Sequence, residues 1–272
     1  MPDLRLTMLQ DHLVWEDREA NLHHFAEVIS RIDRTDVIML PEMFNSGFTV
    51  RPDHVAEPMD GRTVSWMKDM AAHTGAAVVG TLVIREGDQF YNRLIWVHPS
   101  GAMMNYDKRH LFRMGGEHER FSMGNRRVVI HYKGWHILPL VCYDLRFPVW
   151  AHNRLIQDRY EYDLILYLAN WPAARRHPWR SLLVARAIEN QVYVAGLNRI
   201  GQDGHGIDYS GDSMIISPKG QIMAETSENQ AHVLQAALDL DSLQEFREKF
   251  QVGLDWDEYS IPGTNLGMDT QF

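Results

Sequence analysis

Cysteine is almost absent from this 272-residue chain, which contains only Cys142. A single cysteine excludes an internal disulfide, and chains without disulfides are typical of reducing compartments. Apolar runs are also short, and none reaches the length of about 20 residues that a membrane-spanning helix needs. The amino-terminal sequence has no basic segment followed by an apolar stretch, so it does not resemble a signal peptide. We therefore expect a soluble cytoplasmic protein that a packed core holds together.

Positive charge is scarce as well, because 27 Lys and Arg residues stand against 36 Asp and Glu residues, for a formal net charge of −9. The basic pairs Arg126-Arg127 and Arg175-Arg176 are short and isolated, and we interpret them as solvated surface charge. Nucleic acids are bound by clustered basic residues. This composition therefore argues against a nucleic-acid partner.

Motifs for metals and nucleotide cofactors are missing. The chain contains no HExxH, CxxC or P-loop sequence and no GxGxxG after a predicted strand. Its 14 histidines are scattered, and the adjacent His23 and His24 lack the spacing of metal ligands. We therefore expect neither a metal nor a cofactor.

No repeat, low-complexity segment or Pro/Gly/Ser-rich linker divides the chain, which favours one continuous domain. Short apolar runs rich in β-branched residues predict buried strands, and their alternation with amphipathic stretches predicts a layered α/β fold. The glycine-rich stretch 201–211 predicts an exposed loop, and residues 133–134 and 218–220 predict hairpin turns. The predicted strands are 37–40, 76–84, 137–141, 164–168 and 192–197, and helical faces are predicted at 25–32, 64–70 and 178–188.

Three reactive side chains stand at the ends of extended segments, where the sites of open α/β sheets collect. Glu42 comes two residues after a predicted strand, Lys108 follows a short extended run, and Cys142 follows directly on a predicted strand. A sharp turn at Cys142 predicts a thiol near backbone N–H groups, with a lowered pKa. Each residue has a structural alternative. Glu42 is then a carboxylate that caps a loop or pairs with an arginine, and Lys108 forms a surface ion pair with Asp107. Cys142 is then a buried structural cysteine.

In the contexts LPEMF, YDKRHLF and VCYDLRFP, these residues resemble the Glu–Lys–Cys set of the nitrilase superfamily of carbon–nitrogen hydrolases. The resemblance runs from about Leu4 to about Phe250, and CYDLRFP, ANWPAARRHPW and ARAIENQVYVAG are similar to the omega-amidase branch. It implies a four-layer α-β-β-α sandwich, a single domain at residues 1–251, which pairs sheet to sheet with a second subunit in a homodimer or a higher homo-oligomer. Residues 252–272 are then a carboxyl-terminal extension that either packs on the partner subunit or trails in solvent.

The resemblance also implies a role for each member of the set. Cys142 is the nucleophile that forms a thioester, and Glu42 is the general base. Lys108 and the backbone N–H of Tyr143 stabilise the oxyanion of the tetrahedral intermediate.

A second glutamate orients the lysine and the substrate amide in the superfamily. The match is Glu117, which lies seven positions before Gly124. Glu119 lies two residues further on and stays open as the alternative.

The omega-amidase likeness implies a small dicarboxylate monoamide as substrate, with a free carboxylate at its far end. Arg146, four residues after the nucleophile, is the candidate for bidentate binding of that carboxylate. Its alternative is an ion pair with Asp144. Phe44, Trp171 and Tyr143 are candidate walls of the pocket, although such aromatic residues more often belong to a core.

The predicted reaction is the hydrolysis of 2-oxoglutaramate, and of 2-oxosuccinamate, to the 2-oxo dicarboxylate and ammonia. Alternatives within the superfamily are a nitrilase, an N-carbamoyl amino-acid hydrolase and an aliphatic amidase. A non-catalytic 2-oxo acid binding protein is a rival from another class, against which the intact Glu42, Lys108 and Cys142 argue. A thiol redox sensor is disfavoured, because the chain has no second cysteine to form an internal disulfide.

Overall fold

The computed structural model of the protein describes residues 3–264, with two six-stranded sheets at its centre. Three neighbouring strands in each sheet are parallel, and the remaining pairings are antiparallel. In spatial order, the first sheet contains His232–Leu238, Leu4–Gln10, Val37–Met39, Ala77–Glu86, Gln89–Val97 and Met103–Asp107. The second sheet contains Ile222–Glu225, Met214–Ile216, Tyr193–Asn198, Leu164–Ala169, Trp135–Val141 and Ile130–Tyr132.

Helices cover the outer faces of the two sheets and complete a four-layer α-β-β-α sandwich, as the sequence resemblance predicts. Two of them pack on the first sheet and Arg176–Asn190 packs on the second, where Leu183 approaches Gly196 so closely that a Cβ there would lie 2.4 Å from it. The helices are Arg18–Ile29, Pro52–Val55, Arg62–Thr74, Glu117–Arg120, Pro148–Ala151, Arg176–Asn190 and Leu240–Lys249. The 3₁₀ helices are Arg113–Gly115, Cys142–Arg146, Ala173–Arg175 and Val252–Asp255.

The unbroken apolar run at residues 37–40 reflects burial on both faces of the first sheet. Val37 and Met39 belong to the core between the sheets, whereas Ile38 and Leu40 belong to the core under the outer helices. Side chains alternate between faces along a strand, so a strand between two packed layers is apolar at every position.

The five predicted strands are confirmed, with ends that differ from the prediction by at most two residues. The turn at Lys133 and Gly134 is also confirmed, because both residues have positive φ angles of 51° and 85° between paired strands. The helical face predicted at 25–32 is too long, since that helix ends at Ile29 and Ser30 caps it.

The prediction of an exposed loop at residues 201–211 is confirmed for the exposed turn at residues 204–207 and wrong for the segments on either side of it. Strands Ile200–Gln202 and Asp208–Ser210 pair there and form a hairpin, called here the cavity hairpin. Asp203 and Tyr209 are buried in it, and the Tyr209 hydroxyl donates to Asp203 at 2.9 Å. The short strands were not predicted because the segment is rich in glycine, and glycine-rich segments ordinarily indicate loops.

The interpretation of the two basic pairs as solvated charge fits the exposed Arg126 but is wrong for Arg127 and Arg175. Arg127 is 1% exposed and forms an ion pair with buried Glu161. In the second pair, Arg176 forms ion pairs with Asp212 and Glu228, and its neighbour faces a cavity that is described below. Two adjacent arginines in a sequence therefore do not indicate whether either side chain is exposed or paired with a buried acid.

The segment 252–264 packs on its own chain, so the prediction that it trails in solvent is wrong for these residues. The Tyr259 hydroxyl donates to the carbonyl of His152 at 3.1 Å, and the Trp256 ring lies 5.4 Å from that of Tyr160. A contact between this extension and a partner subunit stays a prediction, and its residues 265–272 lie outside the described part. Within residues 3–264, no helix has the length and apolar character for a membrane crossing.

Candidate active site

Side chains from both sheets meet at the carboxyl ends of their strands. Glu42 follows a strand of the first sheet, and its Oε2 accepts from the backbone N–H of Asn170, which follows a strand of the second sheet, at 2.7 Å. Lys108, which follows the edge strand Met103–Asp107, reaches Glu42 Oε1 with its Nζ at 3.0 Å. Lys108 also lines one cavity together with Cys142. The structure therefore brings together the three residues that the sequence singles out.

Glu117 completes this group and Glu119 does not. Lys108 Nζ lies 3.0 and 2.9 Å from the two carboxylate oxygens of Glu117, and both side chains are fully buried. The side chain of Glu119 is 70% exposed. One buried ammonium is therefore shared by two buried carboxylates, those of Glu42 and Glu117.

Two asparagines hold the carboxylates in place, and sequence reasoning missed both. Asn92 Nδ2 donates to Glu42 Oε1 at 2.8 Å and to Glu117 Oε1 at 3.1 Å, while its Oδ1 accepts from Thr81. Asn170 Nδ2 donates to the backbone carbonyl of Glu42 at 2.6 Å. Asn170 lies in the ANWP segment that carries the omega-amidase likeness, whereas Asn92 lies inside a strand and gives no signal.

Cys142 stands at a sharp turn between the strand Trp135–Val141 and the 3₁₀ helix Cys142–Arg146. Its φ of 44° lies in the left-handed region, which residues with a side chain seldom occupy and which costs on the order of 1–3 kcal/mol. Its Sγ lies 3.7 Å from the carbonyl oxygen of Asn170. The strained turn therefore ends the strand abruptly and turns the thiol into the cavity.

The expected lowering of the thiol pKa is wrong. Burial raises the pKa of Cys142 well above its usual value, and the charge of Glu42 raises it further. Lys108 acts in the opposite direction but does not outweigh these effects. The resting group is therefore a neutral thiol, and a base is required to remove its proton.

Lys108 and Glu117 respond to the same burial in opposite ways. Burial alone would lower the pKa of Lys108, but the charges of Glu117 and Glu42 outweigh it and raise that pKa, so the ammonium stays protonated. Burial raises the pKa of Glu117, the charge of Lys108 lowers it and that of Glu42 raises it, with a net increase. The group therefore presents a permanent cation beside the thiol.

The backbone N–H of Tyr143 is available for an oxyanion. Tyr143 is the second residue of the 3₁₀ helix that begins at Cys142, and the first N–H groups of such a helix have no acceptor within it. The Tyr143 side chain lines the cavity beside the Phe112 ring, 5.2 Å away.

A cavity of about 160 Å³ opens in front of the thiol, a size that suits a small molecule. Arg146 and Trp171 line it as predicted, and the Arg146 guanidinium lies 4.8 Å from the centre of the Trp171 ring. Asp144 is not its partner, because that buried carboxylate accepts from Tyr106, Val141 and His110. Arg146 forms no ion pair with any described residue.

Phe44 does not line the cavity, so this prediction is wrong. Its ring is fully buried under the outer helices and packs against Phe25 and Trp66. A Cβ at Gly80 would lie 2.7 Å from that ring, so this glycine provides the space that Phe44 fills. Phe44, two residues after Glu42, therefore anchors this segment in the core and does not belong to the cavity wall.

Arg175 is the cavity residue that sequence reasoning placed on the surface. It is half-buried, and its guanidinium lies 5.3 Å from the centre of the Phe112 ring, which also lines the cavity. Its position in the ANWPAARRHPW segment was a usable signal, because this segment follows directly on a central strand.

Among residues 3–264, one group of three side chains has donor atoms close enough together for a metal ion, and it lies outside the cavity. Asp11, His12 and His24 place one donor atom each within 4.8 Å of one another. Both histidine rings already contact the Asp11 carboxylate at 2.8 Å, and the His12 side chain is 57% exposed. The partner of His24 is therefore Asp11, a residue distant in sequence, and not the adjacent His23.

The arrangement suits acyl transfer from an amide. A thiol, a permanent cation and Tyr143 with its backbone N–H line one cavity, and the buried Glu42 carboxylate lies behind them in contact with the cation. These are the groups that a nucleophilic attack on a carbonyl and the stabilisation of its oxyanion require.

Comparison with known proteins agrees with this chemistry. The chain matches the family model for carbon-nitrogen hydrolases over residues 5–248. It is 48% identical over 261 residues to the omega-amidase YafV of Escherichia coli, a match that covers 96% of this chain and 100% of that protein. It is 34% identical to the 2-oxoglutaramate amidase of Bacillus subtilis, over 80% of this chain and 83% of that protein.

Solved structures similar to this chain also belong to this group of hydrolases. XC1258 of Xanthomonas campestris, a CN-hydrolase superfamily protein with an arsenic adduct in its active site, superposes with a TM-score of 0.93 at 42% identity, over 96% of this chain and 100% of that chain. Nit3 of Saccharomyces cerevisiae, a member of the nitrilase superfamily, superposes with a TM-score of 0.79 at 25% identity, over 92% and 94% of the two chains. This chain therefore belongs to the carbon-nitrogen hydrolase family of the nitrilase superfamily.

Proposed function

We propose that this protein is an omega-amidase that hydrolyses 2-oxoglutaramate, and also 2-oxosuccinamate, to the 2-oxo dicarboxylate and ammonia. The observation that carries the proposal is the position of Arg146, which lines the same cavity as the Cys142 thiol and has no acidic partner among the described residues. The activities named for the E. coli and B. subtilis relatives support the same substrate class.

Acylation begins when Glu42 accepts the proton of Cys142 and the sulfur attacks the amide carbonyl carbon. Because burial and the charge of Glu42 raise the pKa of the thiol, the attack requires a base that takes this proton. The oxyanion that forms is stabilised by Lys108 Nζ and the Tyr143 N–H. Loss of one such donor typically costs about 2.7–4 kcal/mol of transition-state stabilisation.

Glu42 then returns the proton to the amide nitrogen, the carbon–nitrogen bond breaks and ammonia leaves. The acyl group stays on the Cys142 sulfur as a thioester. In the second half, Glu42 takes a proton from water, whose oxygen attacks the thioester carbonyl. The sulfur departs and recovers the proton, so that one amide and one water give one acid and one ammonia.

Glu117 acts through Lys108 in this mechanism. Its two carboxylate oxygens hold Lys108 Nζ at 3.0 and 2.9 Å, and Asn92 links it to Glu42. In the resting site Lys108 stays protonated, because the charges of Glu117 and Glu42 outweigh its burial. It therefore serves as an oriented cation and not as an acid.

Arg146 selects the substrate by binding the substrate carboxylate that lies farthest from the amide. A planar guanidinium binds a carboxylate through two parallel hydrogen bonds, and the face of Trp171 supports this guanidinium from one side. The amide end of the substrate then lies at Cys142, which lines the same cavity.

A substrate panel tests the proposal. We expect ammonia release from 2-oxoglutaramate and succinamate, and much slower reaction with aliphatic nitriles, N-carbamoyl amino acids and neutral amides of the same length. A preference for a nitrile or an N-carbamoyl amino acid would assign the chain to another branch of the family. Calorimetric binding of 2-oxoglutarate without turnover of any amide would instead indicate a binding protein.

We also propose that two copies form a homodimer and that the enzyme works in the cytoplasm. The single cysteine fits a reducing compartment, where its thiol stays available. Light scattering on the purified protein distinguishes a dimer from a monomer of 31.5 kDa.

A further inference from the structure

Arg175 gives the cavity a second guanidinium that the proposed mechanism does not use. Arg146 and Arg175 both line the cavity, and each lies over an aromatic ring, at 4.8 Å for Trp171 and 5.3 Å for Phe112. Neither guanidinium forms an ion pair with another residue in the described range. The adjacent Arg176 differs, since it points to Asp212 and Glu228. Two neighbouring arginines thus have opposite environments.

Asp203 is the acid that lines the cavity, and in the described part of the chain it forms no ion pair with either arginine. Asp203 accepts from the backbone N–H groups of His205 and Ile207 at 2.8 and 3.0 Å and from the Tyr209 hydroxyl at 2.9 Å. All of these donors belong to the cavity hairpin, so the carboxylate is committed to the structure of its own turn. The donors of the two guanidinium groups remain for a ligand.

Trp171 fixes the positions of both arginines. The face of its ring lies under Arg146, and its indole N–H donates to the backbone carbonyl of Arg175 at 2.7 Å. The N–H of Arg175 donates in turn to the carbonyl of Pro172 at 2.9 Å. One indole therefore supports the Arg146 guanidinium and holds the backbone from which the Arg175 side chain extends, and such preorganisation reduces the entropy lost on binding.

We infer that Arg175 recognises the 2-oxo group of the substrate, while Arg146 binds the adjacent carboxylate. One guanidinium satisfies both oxygens of a carboxylate. The second guanidinium lines the same cavity, on a turn that Trp171 also holds, and needs a further acceptor, which a carbonyl next to the carboxylate provides. This inference rests on the proposed omega-amidase function and makes the enzyme selective for 2-oxo acids over plain dicarboxylate monoamides.

The test compares substrates that differ only in the 2-oxo group: 2-oxoglutaramate with glutaramate, and 2-oxosuccinamate with succinamate. The wild-type enzyme is expected to prefer the 2-oxo member of each pair. Arg175→Ala should lower kcat/KM for the 2-oxo amides about ten-fold to one-hundred-fold, the usual effect of a lost hydrogen bond from a charged donor. The same variant should change kcat/KM for glutaramate and succinamate by less than about three-fold, and this retained activity shows that it is folded.

Two further variants make the result specific. Arg175→Lys keeps the charge and one donor, and it should recover part of the preference for the 2-oxo amides. Arg113→Ala removes an exposed arginine from the turn that contains the cavity residue Gly115, and it should leave both substrate pairs unchanged. Equal losses on 2-oxo and plain amides in Arg175→Ala, or no loss on either, would overturn the inference while the amidase activity stands. A wild-type enzyme that hydrolyses none of the four amides would remove the proposed function and this inference with it.

Discussion

Asp144 and His110 are joined by two contacts: Asp144 Oδ1 accepts from the backbone N–H of His110 at 3.0 Å and lies 2.8 Å from its Nδ1. The other oxygen of Asp144 accepts from the N–H of Val141 at 3.0 Å and from the Tyr106 hydroxyl at 2.8 Å. One carboxylate therefore ties the turn that carries Cys142 to the segment that carries Lys108.

Asp144→Asn should weaken both the fold and the reaction, because the new amide group places N–H donors against existing donors. We expect the free energy of unfolding to fall by about 1–3 kcal/mol, together with a lower kcat. Denaturant unfolding and steady-state kinetics measure the two effects. Asp69→Asn, on an exposed helical position, should stay within about 0.5 kcal/mol of the wild type. An Asp144→Asn enzyme with wild-type stability would show that this tie is unimportant.

Glu42→Gln should make the thiol more acidic and the enzyme less active at the same time. The charge of Glu42 raises the pKa of Cys142, so its removal lowers that pKa, and iodoacetamide should alkylate the variant at lower pH than the wild type. Ammonia release should fall about one-hundred-fold or more, since the base is lost. The single cysteine makes the alkylation site unambiguous. An unchanged alkylation profile, or full amidase activity, would contradict the assignment of Glu42.

Glu117→Gln and Glu119→Gln form a matched pair that separates the buried glutamate from the exposed one. The first variant removes a charge that holds Lys108, and we expect kcat to fall about ten-fold to one-hundred-fold. The second changes a side chain that is 70% exposed and should keep wild-type kinetics. Similar losses in both variants would show that the contact with Lys108 does not matter.

Arg146→Ala should reduce activity toward carboxylated substrates far more than toward neutral amides. Loss of a charged, two-point contact is expected to lower kcat/KM for succinamate by about one-hundred-fold, or roughly 3 kcal/mol. The value for butyramide should change by less than about three-fold, because this amide has no far carboxylate. Equal losses on the two substrates would remove Arg146 from the binding site.

The strands and the three central residues were accessible to sequence reasoning for a local reason. Burial on both faces makes the strands visible as short apolar runs, and Glu42 and Cys142 stand just beyond two of them. The order and contexts of Glu42, Lys108 and Cys142 then resemble a known family. Local sequence therefore indicates both the layers and the edge at which their polar residues collect.

The remaining parts of the site depend on contacts between distant segments. Asn92 donates to Glu42 and Glu117, which lie 50 and 25 residues away in the sequence, and nothing near Asn92 marks these contacts. Phe44 is a core residue because Gly80, on the strand Ala77–Glu86, leaves room for its ring. Arg175 faces the cavity because Trp171 holds its turn. The thiol pKa was wrongly predicted for the same reason, since it depends on burial and on Glu42.

The most direct test of the account is mass spectrometry of the protein mixed with 2-oxoglutaramate and quenched before steady state. The account predicts an added acyl mass on the peptide that contains Cys142, and its absence in Cys142→Ala, a variant that should remain folded and release no ammonia. Ammonia release without a covalent acyl species on Cys142, or with the acyl group on another residue, would contradict the thioester mechanism.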